Sequence, residues 1–349
     1  MRAFMVAKRL IKQIGADKRS LGLMFVAPVL IIYLLHIILT SGTSQPAIDV
    51  VNAPDTFVEK LKEHADVRIA DSEEEAMADI KEKEADAYLL FEGTAPKLTV
   101  EGSDPNVTKL VIFAVQQTIQ GMVPEQLKQQ MGDPLPQKPE IEFVYGGEEF
   151  DIFDAFAPLF MGFFIFFFVF IISGISFLRE RISGTLDRIL ATPLRRWEIV
   201  LGYFLGFGLF VAIQTLIIQL FSVYGLDVEM EGSFWELLLL NLILATVALS
   251  LGTFLSAYAR NEFQLFQFIP VVIVPQFLFS GVFDLAEAPE WVKVLSQVFP
   301  LTYAAEALRD VMIRGYHLVD VQLQLYVLLG FALFFLTLNT LVLKKYRKT

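Results

Sequence analysis

The sequence predicts a polytopic α-helical membrane protein with six transmembrane helices and a small α/β domain inserted between the first and second. Three observations carry that expectation. The 349-residue chain is 55% hydrophobic, with 33 Phe and a mean hydropathy of +0.55, and several stretches reach the roughly 20 apolar residues that a ~30 Å hydrocarbon core requires. Residues 41–154 instead hold 24 acidic and 9 basic side chains, against 15 and 19 in the remainder, so an acidic soluble insert interrupts a mildly basic membrane part. Basic clusters at both termini and between the second and third spans fall on one side, which the positive-inside rule makes cytoplasmic.

Other classes are disfavoured by composition. The chain has no cysteine, which removes a disulfide framework and a thiolate metal site, and no metal site is expected. No clustered basic face suggests a nucleic-acid partner.

Residues 1–18 open with Phe4, Ala7, Leu10, Ile11 and Ile14 at helical spacing among Arg2, Lys8, Arg9 and Lys12. That pattern suits an amphipathic helix at a membrane surface beside anionic lipids, or a charged flank that orients the first span. Residues 20–40 form the first span, read as a retained anchor because no A-x-A-like site follows it. His36 within it is either a transport group or a neutral histidine bonded to a neighbouring helix.

Residues 45–148 are the extracytoplasmic α/β domain. Short strands are expected at Ala47–Val51, Val67–Ala70, Ala87–Phe91 and Lys97–Glu101. Helices are expected from Asp55 to about His64, from Ser72 to Glu84 and from Pro105 through Gln120. Ser72 three residues before Glu75 is a capping-box arrangement, and Asp104-Pro105 an N-cap with Pro at the first helical position. No nucleophile–base–orienter set is visible there, so a binding or gating module is the reading. Gln126 to Lys138, with Pro124, Pro134, Pro136 and Pro139 in and around it, reads as a linker.

The second span, residues 152–178, is crowded with Phe that either faces lipid or walls a path for a lipid-like substrate. The third, 197–223, carries Gly202 and Gly206 as a small-residue face for helix packing or dimerisation. The fourth, 234–257, starts at Trp235, an interfacial anchor. The fifth, 263–283, contains Pro270 and Pro275 and should bend, since each Pro removes a helix hydrogen bond. Residues 285–316 are too broken to span and read as external short helices after Pro289 and Pro300, their backbone ends shielded by protein. Pro270, Pro275, Glu306 and Arg309 are the candidate gate, with Glu306, Arg309 and Asp310 placed for a local ion pair. The last span, 319–343, ends in a basic tail.

The cytoplasmic loop, 179–196, is the most informative stretch. It holds five arginines among Arg179–Glu198, with Gly184-Thr185 and Thr192-Pro193. Leu186, Ile189 and Leu190 share one face of a helix of about two turns, Gly184 permits a tight turn, and Thr192-Pro193 reads as the cap and first residue of the next helix. A rigid helix between two spans transmits a push to both.

Arg179-Glu180-Arg181, Gly184-Thr185-Leu186, Leu190-Ala191-Thr192-Pro193-Leu194 and Trp197-Glu198 closely resemble the coupling-helix loop of ABC-2-type transporter permeases. Phe299-Pro300-Leu301-Thr302-Tyr303 with Glu306-Ala307-Leu308-Arg309 resembles that family's external segment, and the large insert resembles the export-type subgroup that carries one. Ile182-Ser183 departs from the charged residues usual before the Gly-Thr. The resemblance implies a multi-pass permease subunit of the cell membrane, working as a homodimer or a heterodimer with a similar permease among membrane lipids. A separate ABC ATPase subunit would contact Glu180, Arg181, Gly184, Thr185, Leu186, Arg188, Ile189, Leu190 and Pro193. No G-x-x-x-x-G-K-[ST] occurs, so this chain is not expected to be an enzyme or to hold a cofactor; ATP and Mg would act through the partner. The implied cargo is hydrophobic or amphipathic (a drug, a lipopeptide, a lipid) or sodium. The competing reading is a non-transporting receptor or scaffold with the α/β domain as sensor.

Overall fold

A computed structural model describes residues 2–40, 45–82, 84–92, 95–101, 105–121, 152–283 and 288–346. The chain divides into two compact units, one of residues 1–40 and 143–349 and the other of residues 41–142. The expected linker, the Asp104 cap and the last basic residues of the tail lie outside the described residues.

In the smaller unit, β1 (Ala47–Val51) pairs in parallel with β2 (Asp66–Ile69) and β3 (Ala87–Glu92), and β4 (Ala95–Val100) runs antiparallel on β3. Being central in the order β2-β1-β3-β4, β1 is buried on both faces, as a strand covered by helices must be. Helices α3 (Asp55–Leu61) and α5 (Pro105–Gly121) pack on Ile48, Val50 and Leu89, while α4 (Glu73–Glu82) packs on Val51, Tyr88 and Leu90. The expected cap forms: the Glu75 amide donates to Ser72 Oγ at 3.2 Å, and the Glu75 carboxylate accepts from the Asp71 amide at 2.9 Å.

One residue breaks the apolar pattern of β1. Asp49 is fully buried, and neither carboxylate oxygen has an N–H or hydroxyl partner among the described residues. A second acid, Asp79 of α4, lies near enough to oppose its ionisation. Burial first, then Asp79, push the Asp49 carboxyl up to about 6.

In the larger unit, six described helical segments are long and apolar enough to cross a membrane. They are α2 (Lys18–Thr40), α6 (Ile152–Ile182), α8 (Arg196–Leu220, continued by a π turn to Gly225), α9 (Phe234–Ser256), the segmented stretch 262–282 and α14 (Gln322–Tyr346). Central among them, α6 is buried along Phe153, Ile165, Phe166, Val169 and Phe170. Gly252 lets α9 close on it: a Cβ there would sit 2.4 Å from the Phe170 carbonyl oxygen. Asn339 of α14 donates to the Ser250 carbonyl of α9 at 2.8 Å, a bond that matters where no water competes. Leu323, Tyr326, Leu333 and Phe334 of α14 are exposed, as lipid-facing residues are. His36 packs edge-on against Phe153, ring centroids 4.7 Å apart.

The first helix, α1 (Arg2–Ala16), lies along α8. Its buried stripe is Val6, Ala7 and Leu10, with Ile11 and Ile14 partly covered; Phe4, expected on that stripe, is 66% exposed. The glycines of α8 explain the difference. A Cβ on Gly202 would lie 2.7 Å from Val6 Cβ and 2.8 Å from the Ala3 carbonyl oxygen, and one on Gly206 2.9 Å from Leu10 Cβ. Contact runs through small residues, and bulky Phe4 turns aside.

The fifth span is broken as its prolines imply. Helix α10 (Glu262–Phe266) is followed by a π turn over Ile269–Ile273, α11 (Val274–Phe277) and a second π turn over Leu278–Val282. Helices α12 (Glu290–Ser296) and α13 (Pro300–Arg314) follow, both too short to span.

Candidate functional site

The loop between α6 and α8 is built by the last turn of α6. Successive helical residues point about 100° apart, so Arg179, Glu180 and Arg181 reach three different surroundings. Arg179 Nε donates to Glu262 Oε1 of α10 at 2.7 Å, and its Nη1 lies 4.0 Å from Asp17. Glu180, 2% exposed, accepts from Gln13 Nε2 at 2.7 Å, from the Tyr203 hydroxyl at 3.0 Å and from Arg9. Arg181 donates to the carbonyls of Ala257 and Ala259 at the end of α9, where orphaned carbonyls and the helix dipole favour a cation. Three neighbouring side chains thus fasten the loop to α1, α8, α9 and α10.

Past this triplet the chain turns at Gly184, whose φ of +71° is the left-handed region that favours glycine. A Cβ there would meet nothing within 4 Å, so the glycine serves conformation and not space. Helix α7 (Thr185–Leu190) follows, with Leu186 and Leu190 buried, Ile189 half-buried and Asp187 and Arg188 exposed.

Two expectations about the loop change. Thr192-Pro193 does not open the next helix: Thr192 Oγ1 donates back to the Ile189 carbonyl at 2.5 Å, closing α7. Helix α8 begins at Arg196, its first turn closed by Glu198, which accepts from the Arg195 amide at 2.7 Å. Among the nine residues expected to touch a partner, Glu180, Leu186 and Leu190 turn inward and offer it no surface. Arg181 and Ile189 are half-buried, Gly184 and Thr185 partly open, and Arg188 and Pro193 exposed.

The candidate gate residues lie where α13 meets the broken span. Pro270 and Pro275 each open a helical segment. Side chains bridge the broken span and α13: Gln276 Oε1 accepts from the Leu301 amide at 3.0 Å, Thr302 donates to the Phe279 carbonyl at 3.0 Å, and Arg309 to the Gly281 carbonyl at 3.2 Å. The expected local pairing of Arg309 with Glu306 or Asp310 gives way to this contact; Asp310 pairs instead with Arg314 at 2.5 Å, and Glu306 is exposed.

Sequence reasoning missed the buried polar groups of the spans. Gln214, Thr215, Gln219, Ser222 and Asn241 are all 0–1% exposed, and Asn241 donates to Gln219 Oε1 at 3.2 Å. A window search for charge passes over amides. Glu180 had a signal, an acid between two arginines, yet its partners Arg9 and Tyr203 lie 171 and 23 residues away. Among the described residues no group of three or more His, Asp or Glu could hold a metal ion.

The profile of ABC-2 family transporter proteins matches residues 18–341. ABC transporter G family member 20 of Dictyostelium discoideum is 31% identical over 205 residues, 58% of this chain and 28% of that protein. In Escherichia coli K12, the probable multidrug ABC transporter permease YbhR is 23% identical over 224 residues, 63% of this chain and 60% of that protein. The inner membrane transport permease YhhJ is 28% identical over 184 residues, covering 51% and 48%. The chain thus spans less than two thirds of the length of each of these relatives.

Proposed function

The chain belongs to the ABC-2 transporter family, and on that premise we propose that it is the membrane-spanning permease subunit of an ATP-driven exporter. A separate ATPase subunit grips the loop around α7 and supplies ATP and Mg. Two permease chains, identical or similar, pair around the path of a hydrophobic or amphipathic cargo. Both termini and the loop face the cytoplasm, which their basic residues favour, and residues 45–148 lie outside. The observation that carries this reading is the Arg179–Glu180–Arg181 triplet, because a loop fastened to four helices passes a displacement to all of them as a rigid-body movement. The gripping surface is the open side of the loop: Gly184, Thr185, Asp187, Arg188 and Pro193.

Charge reversal on that surface tests it. In Asp187→Lys/Arg188→Glu, affinity capture from membranes should lose the ATPase subunit, and export should fall at least tenfold, while the thermal midpoint stays put. If the reversed chain still brings down an ATPase and exports normally, α7 is not the handle.

A further inference from the structure

Beside the fastening of Glu180 lies a cavity of about 90 Å³ enclosed by α1, α2, α6 and α8. Its wall is apolar through Ile14, Met24, Ile172 and Phe207, and these same four residues line a second cavity of about 10 Å³ that reaches Val169 and Phe210. The two form one apolar slot along α6. From Arg179 at the mouth to Val169 at the far end is ten helical residues, about 15 Å at 1.5 Å each. That is half of a ~30 Å hydrocarbon core, the depth of one leaflet.

The mouth is polar and carries both signs. Asp17 and Arg179 stand 4.0 Å apart, 45% and 55% exposed, with Gln13 beside them. Arg179 also holds Glu262, at 2.7 Å. An anion alone would be drawn to Arg179 and repelled by Asp17. A group carrying an ammonium next to a phosphate would exchange the Asp17–Arg179 contact for two, one with each rim charge.

We propose that this slot binds one glycerophospholipid with a zwitterionic amine–phosphate headgroup, taken from the leaflet on the side of the Arg179–Glu198 loop. The ammonium faces Asp17, the phosphate faces Arg179 and Gln13, and one acyl chain fills the wall of Ile14, Met24, Ile172 and Phe207. The lipid wedges α1 against α6 and α8 and shields the Glu180 contacts from water. This inference rests on the spans crossing a bilayer and not on export or on an ATPase partner.

Native mass spectrometry of the delipidated full chain, back-titrated in detergent with phosphatidylethanolamine, phosphatidylcholine or phosphatidylglycerol of equal chain length, tests it. One phosphatidylethanolamine per chain should survive activation, favoured over phosphatidylglycerol by up to about fivefold, the effect of a half-exposed charge pair. Ile172→Trp, or Met24→Trp should the first variant not fold, fills the slot and should abolish the adduct. Asp17→Asn should keep an adduct and lose the headgroup preference. No adduct on the parent chain, an unchanged adduct in both tryptophan variants, or phosphatidylglycerol bound as well as phosphatidylethanolamine would each overturn the proposal.

Discussion

Two acids show how much one side chain decides. Glu180 is buried but supplied with three donors, so its cost is offset; remove it and Arg9, Gln13 and Tyr203 all lose their acceptor. Glu180→Ala should destabilise the chain by about 2–3 kcal/mol and Tyr203→Phe by about 1, read as shifts in unfolding midpoint in mixed micelles. Asp49 is the opposite case, a buried acid with no donor among the described residues and another acid nearby. Its folded value of about 6 lies above the ordinary 3.8, so the folded chain holds the proton more tightly than the unfolded one. The stabilisation is complete below about pH 3.8 and is lost as pH rises through about 6, at most about 3 kcal/mol in all. Asp79 and Glu75 of α4 oppose ionisation, and Arg68 of β2 favours it. Hydrogen exchange, corrected for intrinsic rates, should show β1 and α4 losing protection between pH 4 and 7. Asp49→Asn should flatten that profile; a parent chain already flat would remove the buried proton from the account.

Individual helices depend on a few glycines. At Gly184 the cost of a side chain is conformational, so Gly184→Ala should cost about 1–2 kcal/mol and Gly184→Asn less, since Asn tolerates the left-handed region. At Gly202 the obstacle is the backbone of α1, which cannot rotate away. Gly202→Val should therefore push α1 off α8. The chain has no cysteine, so one introduced at Leu10, 1% exposed, should go from slow to fast maleimide labelling in that variant. The elements were legible to different depths. Spans and strands announce themselves through hydropathy and alternation, and the caps at Ser72 and the broken fifth span follow from local chemistry. The contact of Val6 with α8 did not, because it depends on the opposing glycines, Gly202 and Gly206. Nor did the start of α8, where Thr192 serves the helix behind it. The partners of Glu180, Arg309 and Asp310 are set by tertiary proximity that spacing along the chain does not encode.

At the scale of the molecule, each unit has a hydrophobic core of its own. Replacing residues 45–142 with a short Gly-Ser linker should leave the larger unit inserted in the membrane with its thermal midpoint unchanged, and should leave ATPase capture intact. Loss of capture would favour the scaffold reading, in which the insert is the working part. The larger unit has one further property, set by the end of α6. Because Arg179, Glu180 and Arg181 engage four neighbouring helices from within a single helical turn, twisting α6 by one residue misaligns every contact together and offers each arm a stranger. Intermediate angles satisfy none of them. Such a joint behaves like a detent: it resists small torques, then releases at once, so the larger unit should switch between a few discrete postures instead of drifting through a continuum.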